Sequence, residues 1–271
     1  MPENIRKPVV SGQFYPADKR QLEQQVKGCL TKKKENAQAG IVPHAGYSFS
    51  GKLTGKVFSN IQSKENIIIL GVNHSGFGSK ISLSERDFET PLGVIKNNIK
   101  LGQQIKKKLT AEISDSAHES EHSIEVQLPF IQITQPKAKI IPILLSNLTY
   151  EECKKTAEIL SKFIDEDIGI IISGDFTHYG ENYRFVPFTS DIKNNLYKLD
   201  KNIINEIINL NSKKVYEKAA KSTVCGICGI TIITEIAKIK NWKAKLIDYY
   251  ASGEISGDWD TCVGYAGIVF Q

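Results

Sequence analysis

Four short, almost unbroken apolar runs constrain this chain more than any other feature. They are residues 39–43 (AGIVP), 66–71 (NIIILG), 139–144 (KIIPIL) and 168–173 (IGIIIS). A strand with one wet face alternates apolar and polar residues, whereas a run apolar at successive positions is buried on both faces of a sheet. Helical patterns lie between the runs. Residues 51–61 follow the first, 100–109 and 121–132 precede the third, and 149–165 precede the fourth. Thr149 is the expected N-cap of the last of these, with Glu151 and Glu152 in its first turn. Further on, Leu196, Leu199, Ile203, Ile207 and Leu210 form a helical stripe within 189–210, and a second helix is expected over 226–240. The tail returns to strands over 242–250 and 263–270, expected to rejoin the central sheet. This order predicts an α/β fold with a mostly buried, mixed central sheet flanked by helices.

At 271 residues the chain has room for one large domain or two small ones. No Pro/Ser-rich linker, repeat or low-complexity segment divides it, so a single domain over 1–271 is expected. Composition excludes several classes. With 24% charged and 41% hydrophobic residues it matches neither a disordered nor a fibrous chain. No run approaches the ~18 apolar residues of a membrane span, and MPENIRKPVV lacks an apolar stretch of signal-peptide length. A cytoplasmic location with reduced thiols is the expectation. The net charge of +5 is small, and the lysine triplets 32–34 and 106–108 have no supporting aromatic pattern, so no nucleic-acid partner is expected.

The chemistry-bearing residues are placed unevenly. Of only five histidines, His44 follows the first apolar run (PHAGY), His74 the second (GVNHSG) and His178 the fourth (SGDFTHYG), where Asp175 precedes it. Cys225 stands at the start of a predicted helix (STVCGICG). Ligands in open α/β sheets bind beyond the carboxyl ends of strands, so these residues point to one shared cleft. Imidazoles with a thiolate suit a transition metal, and Asp175 can orient a histidine or bind directly. Cys225 and Cys228 form a C-x-x-C, readable as a dithiol; Cys225 is favoured as a ligand and Cys228 as a helix-packing residue. The string HESEH (118–122) has the spacing of a zinc-protease helix, but its flanks are polar and Pro129 interrupts the helix. The expectation is therefore that His122 enters the cleft and His118 faces solvent, with Ser123 and Glu125 setting the helix start. Tyr15, Tyr47, Tyr179 and Tyr265 are candidates to line a pocket for an aromatic or phenolic ligand.

Eight segments in order, SGQFYP (11–16), IVPHAGYSFSG (41–51), LGVNHSG (70–76), TPLG (90–93), EHSIEVQLPF (121–130), SGDFTHYG (173–180), TVCGICGI (223–230) and VGYAG (263–267), resemble the Memo family. That family is grouped with AMMECR-type and radical SAM proteins, which the resemblance makes possible partners. It implies a fold similar to the class III extradiol dioxygenases (LigB-like). It also implies an iron or copper site, zinc being less expected, with His44, His74 and Cys225 as metal ligands where the dioxygenases use two His and a carboxylate. His178, Asp175 and His122 are implied pocket residues, His178 in the place of the dioxygenase acid/base histidine. Cys228 departs from the residue many members carry. Because a thiolate replaces the carboxylate, ring cleavage does not follow from the resemblance. Two functions are expected: a metal protein with redox or oxygen chemistry in the cleft, or a non-catalytic module whose cleft recognises a peptide or small anionic ligand.

Overall fold

A computed structural model describes residues 4–271. Chain order begins β1 (Ile5–Arg6), α1 (Lys19–Cys29), β2 (Ala39–Val42), α2 (Tyr47–Phe58), β3 (Asn66–Val72), β4 (Ile81–Leu83), β5 (Asp87–Thr90) and β6 (Gly93–Ile95). It continues through α3 (Ile99–Lys108), β7 (Glu112–Ile113), α4 (Asp115–Glu119), α5 (Leu128–Thr134), β8 (Lys139–Leu145), α6 (Tyr150–Leu160) and β9 (Ile168–Ser173). The remainder is β10 (His178–Tyr179), α7 (Ile192–Ile208), α8 (Ser212–Ala219), α9 (Ile227–Ile239), β11 (Ala244–Ala251), α10 (Gly253–Ser256) and β12 (Cys262–Phe270).

The four apolar runs are β2, β3, β8 and β9, and they form the parallel centre of a nine-stranded mixed sheet in the order β2–β9–β3–β8. The sheet is extended antiparallel by β4 beyond β8 and by β12 beyond β2, and β11 pairs with β12. The tail thus rejoins the sheet, as its strand pattern predicts. A separate small sheet joins β1, β5 and β6.

Successive residues of the central strands feed two different cores, which is why the runs do not alternate. Ile68 and Leu70 of β3, with Ile141 and Ile143 of β8, pack with α3, α6, α7, α8 and α9. Ile67 and Ile69, with Ile140 and Leu144, pack with α1, α2 and α5 on the other face. Ile67 through Leu70 are all essentially inaccessible, each such burial contributing roughly 1.5–3 kcal/mol. The helix α6 starts where its cap predicts: Thr149 accepts from the Glu152 N–H and Glu152 returns the bond, a reciprocal capping box.

One expected helix is divided. Residues 121–132 are a loop, a short 3-10 turn at Glu125–Gln127 and then α5. Pro129 does not interrupt a helix; it sits in the first turn of α5, where its missing N–H costs nothing. Among the described residues no helix is long and apolar enough to cross a membrane.

Candidate functional site

Parallel strands end on one edge, so the register of the sheet decides which loop residues meet. Val42 pairs with Ser173; two residues further on, His44 and Asp175 stand side by side, and the His44 backbone N–H donates to Asp175 Oδ1 at 2.9 Å. The other Asp175 oxygen lies 3.7 Å from His44 Nε2 and 4.0 Å from His178 Nε2. The adjacent strand β3 delivers His74, whose ring centroid is 5.2 Å from that of His44. Cys225 stands just ahead of α9. Gly174 and Gly226 make its approach to the end of β9 possible: a Cβ built on either one falls within 3 Å of the other's Cα. The result is a Cys225 Sγ that accepts from the Asp175 N–H at 3.2 Å and lies 3.3 Å from His44 Nε2.

The rings are held in defined tautomers. His74 Nδ1 lies 3.0 Å from Glu121 Oε1, which is a proton acceptor, while Glu121 Oε2 accepts the His74 backbone N–H at 2.8 Å. His178 Nδ1 faces two carbonyl oxygens, of Phe176 and Thr223, each at 3.1 Å. Thr223 locks this arm further, accepting the His178 N–H and donating back to the His178 carbonyl. His44 Nδ1 is 3.4 Å from the Ser173 hydroxyl, whose own proton goes to the Ser123 carbonyl. In its neutral form each of the three imidazoles therefore carries the proton on Nδ1 and leaves Nε2 as a lone pair. A metal-binding histidine needs this arrangement from its surroundings.

Burial and charge push these groups in different directions. Burial lowers the His44 imidazole to about 4, against the opposing pull of Asp175. Burial also works against a charged His74, but the hydrogen bond and charge of Glu121 outweigh it and raise that ring. Glu121 is pushed up by burial yet held at about 2 by His74 and by the backbone N–H groups of His74 and Ser123. Burial and the charge of Asp175 drive the Cys225 thiol well above its ordinary value. Without a cation beside it, that thiol stays protonated.

The ligand atoms of His44, His74 and Cys225 lie within 4.8 Å of one another, as do those of Asp175, His178 and Cys225, and those of His74, Glu121 and His122. The six residues singled out from sequence thus converge on one cleft. His122 enters it as expected, its ring stacked on His74 at 5.0 Å. Other expectations need correcting. His118 is not solvent-facing: it is 1% exposed, its Nε2–H donates to the Ser82 carbonyl at 3.0 Å and its ring meets Phe88 edge-on. Because α4 ends at Glu119, His118 and His122 do not share a helix face, and the zinc-protease spacing is not realised. A 3-10 turn does begin at Glu125, but neither Ser123 nor Glu125 caps it with its side chain. Ser123 Oγ bonds the end of β3 at Val72, and Glu125 is buried against Arg6. Nor do the four tyrosines line a pocket as a group, since all are at most 5% exposed. Tyr15 donates to Glu125, Tyr47 to the Val126 carbonyl and Tyr179 to the Phe188 carbonyl.

Sequence reasoning missed Glu121, although it stands next to His122, and two rings packed on the cleft histidines. Phe14 of SGQFYP meets His122 edge-on at 5.1 Å, and Tyr183 meets His178 at 4.9 Å.

Fold and site together define an α/β protein with a candidate metal centre of two imidazoles and a thiol beyond the carboxyl ends of its parallel strands. A family profile described as "Memo-like protein" matches residues 6–269. Relatives described as MEMO1 family proteins include one from Aquifex aeolicus, 36% identical over 98% of this chain and 99% of its own length. Another, from Pyrococcus furiosus, is 37% identical over 98% and 99%, and one from Methanosarcina barkeri is 32% identical over 98% and 100%. The chain belongs to the Memo family.

Proposed function

We propose that this protein holds an iron or copper ion on His44, His74 and Cys225 and carries out redox or oxygen chemistry in the cleft above it. The observation that carries this reading is the tautomer control: two Nε2 lone pairs and a sulfur converge, each oriented from behind by another group. The donor set fits a soft or borderline transition metal, and a cation there would reverse the bias that burial and Asp175 impose on the thiol. Bound in this set, iron or copper would supply one-electron chemistry and open positions for a small ligand.

The chain's own contributions can be read from the geometry. His178, with its Nδ1 proton fixed by two carbonyls, presents Nε2 to the cleft and can take or return a proton there. Asp175 holds the strand end through the His44 N–H and keeps its second oxygen between His44 and His178. Phe14 and Tyr183 pack edge-on against His122 and His178 and so add two aromatic rings beside the cleft histidines. We extend the family's likeness to the class III extradiol dioxygenases to the fold but not to ring cleavage, since a thiol stands where those enzymes keep a carboxylate.

Elemental analysis of anaerobically purified protein tests the reading. About one iron or copper per chain is expected, lost on changing His44, His74 or Cys225 to Ala. Metal retained in all three variants, or no metal bound at all, overturns it. Metal-dependent oxygen uptake then separates a catalyst from a module that binds a peptide or anion and turns nothing over.

A further inference from the structure

Helix α7 buries five residues, and four of them are aliphatic: Leu196, Ile203, Ile204 and Ile207. The fifth is Asp200, one turn after Leu196 and one turn before Ile204, in the middle of the apolar stripe. It is completely inaccessible, and the bonds it receives come from neutral donors. Its Oδ1 accepts the Thr177 hydroxyl at 2.5 Å and the Thr177 N–H at 3.3 Å, and its Oδ2 accepts the Tyr249 hydroxyl at 2.6 Å. A carboxylate held this way in an apolar stripe works against folding, so packing does not account for it. Strand β12 leaves a gap for the pair. A Cβ on Gly264 would fall 2.1 Å from Asp200 Oδ2 and 2.9 Å from the Tyr249 hydroxyl. The Gly264 backbone holds the same turn, donating to the Thr177 carbonyl and accepting the Phe176 N–H, each at 2.9 Å. Thr177 stands between Asp175 and His178, whose Oδ2 and Nε2 lie 4.0 Å apart in the cleft.

We propose that Asp200 is a positioning residue for the His178 arm of the cleft. It bonds none of the ligand candidates and acts through Thr177. Tyr249 fixes one carboxylate oxygen; the other fixes the Thr177 side chain and N–H, and thereby where Asp175 Oδ2 and His178 Nε2 stand relative to each other. Glu121 is its counterpart behind His74. One carboxylate orients a ligand candidate, the other the acid/base candidate. The place requires an acceptor rather than a charge, because each partner of Asp200 is a neutral donor. The acid/base role of His178 rests on the proposed function, whereas the placement of its ring does not.

The test reads the His178 ring in metal-free protein by nitrogen NMR, with the His74 ring as internal control. Wild type should show the neutral His178 ring protonated on Nδ1. Asp200→Ala and Thr177→Val should each give mixed tautomers or exchange-broadened ring signals at His178, while His74, held by Glu121, keeps its signals. Asp200→Asn keeps the acceptor and should restore the wild-type pattern. Because both changes break one contact, the double variant of Asp200→Ala and Thr177→Val should be no worse than either alone. In metal-loaded protein, kcat for oxygen uptake should fall by roughly 100-fold in each single variant, the size expected of a small misplacement, with metal content unchanged and activity regained in Asp200→Asn. Since the ring signals are read without metal, a wild type that takes up no oxygen defeats the proposed function and not this proposal. Should Asp200→Ala fail to fold, Thr177→Val decides alone. Unchanged His178 signals, an equal disturbance at His74, or no restoration by Asp200→Asn each overturns the proposal.

Discussion

Glu121 shows how much of the centre depends on a residue that is not a ligand. Its carboxylate takes the Nδ1 proton of His74 and the backbone N–H groups of His74 and Ser123, so it fixes both the ring and the strand end that carries it. Glu121→Gln keeps the shape and removes the charge. Titration of the metal-free protein by NMR should then find the His74 pKa below its wild-type value, since burial, which disfavours the charged ring, is no longer outweighed by Glu121. Under the proposed function, metal affinity measured against a competing chelator should fall by roughly 10–100-fold, as for other carboxylates behind a metal-bound histidine. An unchanged His74 titration would reduce Glu121 to a packing role. The ligand candidates themselves were legible in the sequence because His44 and His74 each closely follow a recognisable apolar run and Cys225 opens a recognisable helix. Glu121 was not, because the contact that gives it meaning spans 47 positions of chain and no local pattern records such a contact. His118 was misread for the same reason. Its polar neighbours suggest solvent, but its carbonyl is held by Arg6, 112 residues away.

The N-terminal segment acts as one element that braces the loop carrying Glu121 and His122. Arg6 of β1 is fully buried and donates to the carbonyls of His118 and Glu121 as well as to the Glu125 carboxylate. The same carboxylate accepts from Val9, Val10 and Tyr15, and the neighbouring Phe14 packs on His122. Arg6→Met would leave a buried carboxylate without its cation. Breaking such a pair from one side typically costs about 3–5 kcal/mol; the three donors that remain on Glu125 place the expected loss nearer the lower figure. Urea unfolding measures it, and a change under 1 kcal/mol would mean that the pair is no more than a surface-like contact. Elements of this kind mark the limit of legibility. The strands β2, β3, β8 and β9 announce themselves because both faces are buried, and α6 because its cap is written locally. The strands β1, β7 and β10 are two residues long, too short for any periodicity, and exist only because a longer neighbour offers free backbone groups.

At the scale of the whole molecule, buried ionisable groups make stability depend on pH, and they do not agree in sign. His44 and His118 are each lowered by burial from 6.5 to about 4. The folded chain therefore binds fewer protons than the unfolded chain between those values, so their contribution is complete above 6.5 and is lost as pH falls towards 4. Asp200 of α7 works the other way. It is fully buried, and although it accepts from Thr177 and Tyr249, burial raises it from 3.8 to about 6. Its contribution is complete below 3.8 and is lost as pH rises towards 6, an effect of about 3 kcal/mol at 1.36 kcal/mol per pKa unit. With His44 and His118 opposed by Asp200, the metal-free protein should gain stability as pH rises from 4 to 6.5, but less steeply than the histidines alone dictate. Asp200→Asn removes the opposing term. Asn can still accept from Thr177 through its carbonyl, and the Tyr249 hydroxyl can turn to accept from its amide. The stability of the variant minus that of the wild type, from urea unfolding at a series of pH values, should therefore climb by about 3 kcal/mol between pH 4 and 6 and level off above. A difference that stays constant across that range would show that the Asp200 carboxyl titrates at its ordinary value. The bond from Thr177, which sits between Asp175 and His178, would then be made to a carboxylate that is charged throughout.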